Sequence, residues 1–556
     1  MPRSTPCSIV STIGVLLLVA CPEPAGTDLP APSDTAPEPP RPPDPTLDAE
    51  LVVIREPSCA DPERRLQQPY TLQPALPDEA VFPNSNSLFV GGGLTLADLN
   101  ADGILDLFLT ARGTAVGLFL GLPDGDGFQF EAATDRLPPL PERTAGASAV
   151  DVDLDGDLDL VVSVFRNFDR VLLNDGEARF STAPDALGMA GPLLRRSISS
   201  SWADVDQDGV LEGFFASYGA LSQPEGGLPD GDPSALYTRQ SDGTWTDIGA
   251  WTAPDPMATS HAFQGAFTDV DHDGWLDLFV VNDFGWTTPT VLLPNEQGVM
   301  GAADTRSVSL KYENMGLGMG DFNHDGTQDF VVAAWDRMSL LMSEQGGWFD
   351  VATARDLRTD PTTDRHVPWG TQVGDLDNDG DLDIFVGYGH LDVTSNSLNP
   401  LAQPDAVYLQ NTKGQFVQLA ETLGLDHAGW TRGALLVDID RDGWLDVIVR
   451  DLRGPTRMYK AQCGYGSFLG FELRQPGHNP TAIGARIRVH VNGVTYTEEL
   501  RLGGTGYASS GPAEAHFGLG EATMAEWVEV RWPDGEVSVA EDVPVNRWWR
   551  WTREPS

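Results

Sequence analysis

One acidic motif recurs seven times between residues 98 and 446, and it limits the folds open to this chain of 556 residues. Each copy reads Asp-x-Asp/Asn-x-Asp-Gly-x-x-Asp/Glu, with oxygen-bearing side chains at positions 1, 3, 5 and 9. Such a loop can wrap one hard cation that takes about six to eight oxygen ligands, and the glycine at position 6 permits the sharp turn. The pattern predicts Ca²⁺, because Mg²⁺ requires a tighter octahedron and releases its waters reluctantly.

The predicted ligands are the side chains at positions 1, 3, 5 and 9 and the backbone carbonyl at position 7. In chain order they are Asp98, Asn100, Asp102, Ile104 and Asp106; Asp151, Asp153, Asp155, Asp157 and Asp159; Asp204, Asp206, Asp208, Val210 and Glu212; Asp269, Asp271, Asp273, Trp275 and Asp277; Asp321, Asn323, Asp325, Thr327 and Asp329; Asp375, Asp377, Asp379, Asp381 and Asp383; and Asp438, Asp440, Asp442, Trp444 and Asp446. We expect up to about seven Ca²⁺ ions with a structural role. Ordinary solvent-facing turns do not explain the repeats, since a turn needs only one Asp or Gly.

The residues that flank each loop distinguish strands from helices. Position 12, where an EF-hand places a bidentate Glu, holds only apolar residues in this chain. Short apolar runs follow the loops, as in Leu105–Leu109 and Leu445–Val449, and they lack a helical period. The flanks therefore predict loops that join β-strands, and they disfavour an EF-hand or dockerin-type reading.

The spacing of the motif predicts the architecture. The copies begin at residues 98, 151, 204, 269, 321, 375 and 438, and most intervals contain a second apolar strand and a turn. Units of three or four strands that recur at this period are typical of a β-propeller. We predict an all-β fold, a seven-bladed β-propeller with calcium-binding loops (59–465) plus a small C-terminal β domain (466–556). In the latter, Asn492-Gly493 and Asp534-Gly535 predict hairpin turns. Trp548, Trp549 and Trp551 of the terminal strand are expected in its core, with stacking on a sugar ring as the alternative.

The N-terminal residues predict export. Residues 1–20 contain a short apolar run, and Leu18-Val19-Ala20-Cys21 resembles the lipobox of bacterial lipoproteins, which implies lipid on Cys21. An ordinary secretory signal is the alternative. The Pro-rich residues 21–58 are predicted to be an extended tether. Cys59 and Cys463 flank the repeats, and we hypothesise that they form a disulfide in an oxidising compartment.

The net charge restricts the partners. The formal charge is −47 and the sequence pI is about 4.2. Such a surface repels nucleic acid and anionic membranes, so we expect no nucleic acid partner and membrane attachment only through an N-terminal lipid anchor.

Several phrases resemble a known family. The acidic loops look like the FG-GAP/VCBS repeats of integrin-α-type propellers, and Met315–Asp321, Gly389-His390 and Arg432–Ala434 resemble bacterial relatives of the cartilage acidic protein family. The phrases Ala482–Ile487, Ala515–Gly520 and Val530–Gly535 are similar to the ASPIC/UnbV module of that family. The glycine stretch Gly503–Tyr507 departs from the family pattern, which leaves the role of that turn open.

The resemblance implies a non-catalytic, calcium-stabilised module of the cell surface that binds a glycan or protein and serves in adhesion. No catalytic motif is present, so no catalytic residue or organic cofactor is assigned. The alternative is a polysaccharide lyase or hydrolase that uses the central face of the propeller, with His261, His366 or His390 as acid or base. The lipid anchor implies the bacterial outer membrane or cell surface as the location.

Overall fold

The structure is a computed structural model. It describes residues 45, 48–57, 59, 62–77, 79, 91–111, 116–123, 128–183, 195–219, 231–249, 255–304, 308–344, 347–359, 366–391 and 402–554. All of these lie in one compact unit, Pro42–Ser556. The predicted signal and the lipid-bearing Cys21 lie outside the described residues. No helix among the described residues is both long and apolar enough to cross a membrane.

The described secondary structure is nearly all β. The N-terminal elements are β1 (Ala49–Arg55), helix α1 (Glu63–Gln67) and β2 (Tyr70–Leu72). Repeats 1 to 3 contain β3 (Leu94–Ala97), β4 (Asp106–Leu109), β5 (Gly117–Gly121), β6 (Phe130–Ala132), β7 (Thr144–Val150), β8 (Asp159–Asn167), β9 (Arg170–Leu173), β10 (Ser181–Thr182), β11 (Arg195–Ala203), β12 (Glu212–Ser217), β13 (Ala235–Arg239) and β14 (Trp245–Asp247). Short 3₁₀ helices span Thr134–Arg136 and Pro256–Thr259.

The remaining repeats follow the same order. Repeats 4 to 7 contain β15 (Ala262–Thr268), β16 (Asp277–Asn282), β17 (Val291–Leu293), β18 (Asn314–Gly320), β19 (Asp329–Ala334), β20 (Arg337–Glu344), β21 (Gly347–Asp350), β22 (Pro368–Gly374), β23 (Asp383–Tyr388), β24 (Gln403–Pro404), β25 (Ala406–Gln410), β26 (Phe416–Gln418), α2 (Ala420–Leu423), β27 (Ala428–Gly429), β28 (Thr431–Val437), β29 (Asp446–Asp451) and β30 (Arg457–Ala461). In every repeat the acidic loop joins the first strand to the second, and the two strands pair antiparallel.

The second strands are buried along their whole central length, which explains why they read as continuous apolar runs rather than as alternating ones. Apolar clusters lie between consecutive repeats, and one cluster joins Leu94 and Leu107 of repeat 1 to Ile448 and Met458 of repeat 7. The first strands also neighbour one another in a cycle, from β3 through β7, β11, β15, β18, β22 and β28 back to β3. This cycle of described first strands is the arrangement expected of a propeller, and the count of seven blades stays a prediction.

The N-terminal segment closes the cycle, which the sequence did not predict. Strand β2 is the fourth strand of the repeat 7 sheet and pairs antiparallel with β30, with Tyr70 opposite Ala461. Beside it Cys59 and Cys463 form the hypothesised disulfide, with a Cα–Cα distance of 5.5 Å. The ends of the ring are therefore joined both by a β-ladder and by a covalent bond.

Removal of this disulfide is expected to destabilise the ring. The bond links residues 404 positions apart, and cross-links of long loops restrict the unfolded chain most. We expect Cys59→Ser/Cys463→Ser to lower the free energy of unfolding by about 2–4 kcal/mol. Urea unfolding of the oxidised protein and the variant measures this difference. Identical midpoints and slopes would show that the β2–β30 ladder alone closes the ring.

The C-terminal strands are β31 (Phe468–Arg474), β32 (Arg486–Val491), β33 (Val494–Glu499), β34 (Leu502–Gly503), β35 (Glu514–Gly518), β36 (Met524–Arg531), β37 (Val537–Pro544) and β38 (Arg547–Arg553). All of these except β34, together with β1, form two four-stranded sheets, β1-β38-β31-β35 and β33-β32-β36-β37, and we call these sheets the C-terminal module. Trp549 and Trp551 lie in the core between the sheets, as expected. The prediction is wrong for Trp548, which lies outside this core and donates to Asp438 of the repeat 7 loop, because successive side chains of a strand point to opposite faces. Asn492 and Gly493 both adopt left-handed backbone angles in the predicted hairpin turn.

The predicted tether is too long at its C-terminal end. Residues 49–55 were assigned to it, but they form β1, which pairs antiparallel with β38 at the edge of the C-terminal module. The physical reason is the run Leu51–Ile54, whose apolar and β-branched side chains favour a strand and can be buried. Strand β1 thus belongs to the module, whereas β2 belongs to the propeller.

Residues 503–510, which we call the channel loop, run from the C-terminal module in among the first strands of the propeller. Strand β34 at the start of the loop pairs with β11. The Gly506 N–H donates to Thr371 O at 3.1 Å, and the Ser510 N–H donates to Leu94 O at 2.9 Å. Tyr507 is fully buried, with its ring centroid 5.0 Å from that of Trp369 and 5.9 Å from that of Phe263. The glycine stretch that departs from the family pattern therefore packs among the first strands of the propeller.

Candidate metal centre

All seven acidic loops share one backbone conformation. Position 6 is a glycine with φ between 87° and 101°. Position 4 also has a positive φ, between 55° and 69°, although it is never glycine. The position 4 residues are Ala101, Leu154, Gln207, His272, His324, Asn378 and Arg441. Sequence reasoning identified position 6 but missed position 4, since a left-handed residue with a side chain leaves no signature in the sequence.

The carboxylates at positions 1 and 9 fold each loop onto itself. In every loop the position 6 N–H donates to the position 1 carboxylate, at 2.7–3.2 Å. In every loop the position 2 N–H donates to the position 9 carboxylate, at 2.8–3.1 Å. These bonds fix the two ends of the loop, so that the side chains at positions 3 and 5 are held near them.

Five loops bring three carboxylates close enough to hold one metal ion, with candidate ligand oxygens within 4.8 Å of one another. Repeats 2, 3, 6 and 7 combine positions 1, 3 and 9, whereas repeat 4 combines positions 1, 3 and 5. The groups are Asp151, Asp153 and Asp159; Asp204, Asp206 and Glu212; Asp269, Asp271 and Asp273; Asp375, Asp377 and Asp383; and Asp438, Asp440 and Asp446.

Repeats 1 and 5 form no such group among the described residues, because position 3 is Asn100 or Asn323. Each asparagine donates through its Nδ2 to the position 5 carboxylate, at 3.0 Å for Asp102 and 2.9 Å for Asp325. The amide leaves these two loops with one carboxylate fewer, although its oxygen remains a ligand for a hard cation. The participation of the position 7 carbonyls remains a prediction.

Several loop carboxylates have an oxygen that is buried but accepts no hydrogen bond from the described residues. These atoms are the Oδ1 oxygens of Asp153, Asp157, Asp204, Asp269, Asp377 and Asp440. A buried acceptor without a partner costs about 1–3 kcal/mol, and more when it is charged. A cation at the centre of the loop would satisfy these oxygens, so the donor set fits a hard divalent ion.

Burial shifts the titration of the same groups. Desolvation raises the pKa of Asp159 and of Asp277 to about 7, and that of Glu212 to about 8. Desolvation also raises the pKa of Asp375 well above its usual range, and the charges of Asp377 and Asp379 raise it further. The loops therefore hold like charges that the protein alone does not neutralise, and a bound cation reverses this effect.

Two asparagines that sequence reasoning missed each contact two acidic loops, that of their own repeat and that of the preceding repeat. Asn174, after β9, donates through its Nδ2 to Leu99 O at 2.8 Å and to Leu158 O at 2.9 Å. Asn295 does the same for Val205 O and Leu276 O, at 2.9 and 3.1 Å. Each asparagine thus bridges the acidic loops of two consecutive repeats. The only sequence signal was an Asn after the third strand in both repeats.

The C-terminal module contacts several acidic loops directly. The indole Nε1–H of Trp548 donates to the Oδ2 of Asp438 at 2.7 Å, and His516 donates through Nε2 to Gly443 O at 3.0 Å. Arg486 donates to Asp269 O at 3.1 Å. These contacts place the module on the propeller face that carries the acidic loops, so loop conformation and module position are coupled.

The histidines of the enzyme alternative are buried near first-strand starts and second-strand ends, away from the acidic loops. The ring of His261 contacts Tyr218 and Phe284, that of His366 contacts Tyr388, and that of His390 contacts Trp335. The channel loop, with its small residues, occupies the space among the first strands.

Comparison with known families agrees with these features. The model of FG-GAP-like repeats matches residues 98–162, 151–214, 269–332, 321–386 and 387–449. The model described as ASPIC and UnbV matches residues 475–555.

Curated relatives cover part of the chain. This chain is 28% identical over 277 residues to cartilage acidic protein 1 of Homo sapiens, and the alignment spans 47% of this chain and 39% of that protein. It is also 28% identical over 286 residues to cartilage acidic protein 1 of Xenopus tropicalis, across 48% of this chain and 41% of the other. The chain thus aligns with about two fifths of the length of these relatives.

Solved structures with a similar fold are distant. One is a lectin of Agrocybe aegerita that recognises non-reducing terminal N-acetylglucosamine, with 14% identity, a TM-score of 0.40, and coverage of 66% of this chain and 94% of that one. Another is the rhamnogalacturonan lyase of Bacillus licheniformis, with 12% identity, a TM-score of 0.37, and coverage of 71% and 76%.

Proposed function

Because this chain belongs to the family of proteins with FG-GAP-like repeats, we propose that it is a non-catalytic binding or adhesion module whose propeller is stabilised by Ca²⁺. The observation that carries the proposal is the repeated loop, with converging carboxylates and buried oxygens that lack hydrogen-bond donors. Cartilage acidic protein 1, which the chain resembles, supports the same class of function.

The metal ligands we propose are the oxygens at positions 1, 3, 5, 7 and 9 of each acidic loop. Bound Ca²⁺ supplies positive charge to carboxylates that burial would otherwise protonate, and it joins the first strand of each blade to the second. Mg²⁺ is a poorer fit, because carboxylates that hydrogen-bond to the backbone cannot readily adjust to a small octahedron. The ion is therefore structural, and no chemical step is assigned to it.

We propose a glycan or a protein as the ligand and the cell exterior as the location. The disulfide between Cys59 and Cys463 suits an oxidising compartment, and export followed by lipid attachment at Cys21 would hold the protein at the bacterial outer membrane or cell surface. The test is binding of the purified chain to glycan and extracellular protein arrays, with calcium and with excess chelator. Calcium-dependent retention of one ligand class supports the proposal. New reducing or unsaturated ends on a polysaccharide panel would favour the enzyme alternative instead.

Substitution at position 3 of one loop tests the metal ligands with little change to the fold. Asn occupies this position in repeats 1 and 5, so Asp153→Asn should be accommodated. Removal of one ligand charge is expected to weaken one calcium site by about tenfold, while the other sites keep their affinity. Isothermal titration with calcium measures this change, and Asp135→Asn, an exposed residue outside the loops, is the control. Equal titration curves for the three proteins would contradict the ligand assignment.

A further inference from the structure

The third strand of each repeat places one residue opposite the position 9 carboxylate. The ladder of repeat 7 pairs Val447 with Tyr459, so the next residue, Lys460, lies opposite Asp446. The same register in the other repeats gives an uncharged residue in every case. The seven residues are Leu120, Leu173, Thr238, Pro294, Met342, Leu409 and Lys460.

The ammonium group of Lys460 contacts a carboxylate of the repeat 7 acidic loop. Its Nζ forms an ion pair and a hydrogen bond with the Oδ2 of Asp440, the position 3 carboxylate of repeat 7. The two side chains are only 17% and 11% exposed, so water screens the pair weakly. The other oxygen of Asp440 is buried and accepts no hydrogen bond from the described residues, and it faces the same group of carboxylates as Asp438 and Asp446.

Other cations near this loop do not take this role. Arg65 stacks on the ring of Trp444, with its guanidinium carbon 4.1 Å from the ring centroid, and donates to the carbonyls of Leu376 and Gln462. Arg441 lies within the loop but turns to the C-terminal module, where it pairs with Glu472 at 3.2 Å and with Glu514 at 2.6 Å. Within the described part of the chain, Lys460 pairs directly with a proposed calcium ligand of repeat 7, and Arg486 forms a longer pair, 3.6 Å, with the Oδ2 of Asp269 in repeat 4.

We propose that Lys460 is a resident counter-ion that weakens calcium binding at the repeat 7 loop, although this loop has four acidic side chains. The inference rests on the proposed function, since it presumes that the other loops bind calcium. The ammonium occupies one oxygen of Asp440 and repels an incoming divalent ion at short range, so we expect an affinity at least about tenfold lower than at the other carboxylate-rich loops.

Lys460 lies in the blade at which the two ends of the propeller are joined. In repeat 7, β30 pairs with β2, and Cys463 of the disulfide follows β30 by two residues. The acidic loop of this repeat also contains Asp438, which accepts a hydrogen bond from Trp548 of the C-terminal module. An ammonium that partly neutralises the loop keeps this blade folded when calcium is scarce. Closure of the ring therefore depends less on calcium than the other blades do.

Calcium titration of Lys460→Met, with Lys460→Gln as a second neutral variant, tests the proposal. Both variants should bind calcium at the repeat 7 site at least tenfold more tightly than wild type does, so that one of the weak sites in the titration moves to higher affinity. In excess chelator the variants should melt below wild type. The control is Lys413→Met, an exposed residue of the turn between β25 and β26, which should change neither result.

Two outcomes would overturn the inference. Unchanged affinity of every weak site in both neutral variants would show that Lys460 does not compete with the ion. The absence of calcium binding in wild type and variants alike would refute the proposed function itself, and the assignment of Lys460 with it. The first outcome leaves the other sites filled and the second leaves none filled, so the two failures are distinguishable.

Discussion

Transfer of the calcium-loaded protein into excess chelator is expected to lower its Tm by at least about 10 °C. At a calcium concentration about ten times the dissociation constant, each site adds roughly 1.4 kcal/mol to the folded state. Several such sites together contribute about as much as the whole stability of a typical domain, roughly 5–15 kcal/mol. Removal of the ions also leaves buried carboxylates such as Asp375 and Asp438 without a counter-charge.

Differential scanning calorimetry in calcium, in EGTA, and in EGTA followed by excess calcium measures this effect. The protein should recover its Tm when calcium is restored, and Mg²⁺ at the same concentration should restore much less. Calcium should also raise the Tm progressively with concentration, because binding to the folded state follows mass action. An equal Tm in calcium and in EGTA would show that the acidic loops are stable without metal.

The second large effect, a loss of folding stability, is expected when one methyl group is added to the channel loop at Gly506. Gly506 has a φ of 68°, and a Cβ atom at this position would lie 2.3 Å from the carbonyl oxygen of Ala434. That oxygen belongs to strand β28, which the propeller fixes in place, so the loop must move. We expect Gly506→Ala to lower the free energy of unfolding by about 3 kcal/mol or more, through overpacking and loss of the bonds to Thr371 and Ala434.

The matched control is Gly493→Ala in the β32–β33 turn. Gly493 also has a positive φ, 85°, but nothing lies within 4 Å of the Cβ position. This variant carries only the backbone penalty, about 1–2 kcal/mol. Hydrogen exchange of residues 502–511 provides the second readout, and it should rise in Gly506→Ala and not in the control. Equal stability and equal exchange in the two variants would contradict the placement of the loop among the first strands.

The acidic loops and their strands could be predicted from the sequence because their information is local. Glycine at position 6 and carboxylates at fixed spacing specify the turn, and the apolar runs after position 9 specify buried strands. The hairpin at Asn492-Gly493 and the buried tryptophans of β38 were predictable for the same reason. The long periodicity then indicated a propeller.

The features that sequence reasoning missed depend on contacts between distant residues. Strands β1 and β2 lie close together in the chain but pair with β38 and β30, near its other end. The channel loop reads only as a glycine-rich turn, because its partners are backbone groups of four different repeats and the side chain of Gln264 in a fifth. In the sequence Lys460 is an isolated lysine of a strand, and only the register of β29 and β30 shows that it lies opposite Asp446. Such pairings arise from closure of the ring, which has no local signature.

Elemental analysis of the natively purified protein, after dialysis against metal-free buffer with low calcium, tests the central claim most directly. The loops of repeats 2, 3, 4 and 6, with four acidic side chains each, predict about four tightly held calcium ions per chain, and the sites of repeats 1, 5 and 7 should fill only as free calcium rises. Asp153→Asn should lower the retained calcium by about one equivalent. Fewer than about two equivalents in the wild-type protein, with the fold intact, would contradict a calcium-stabilised propeller.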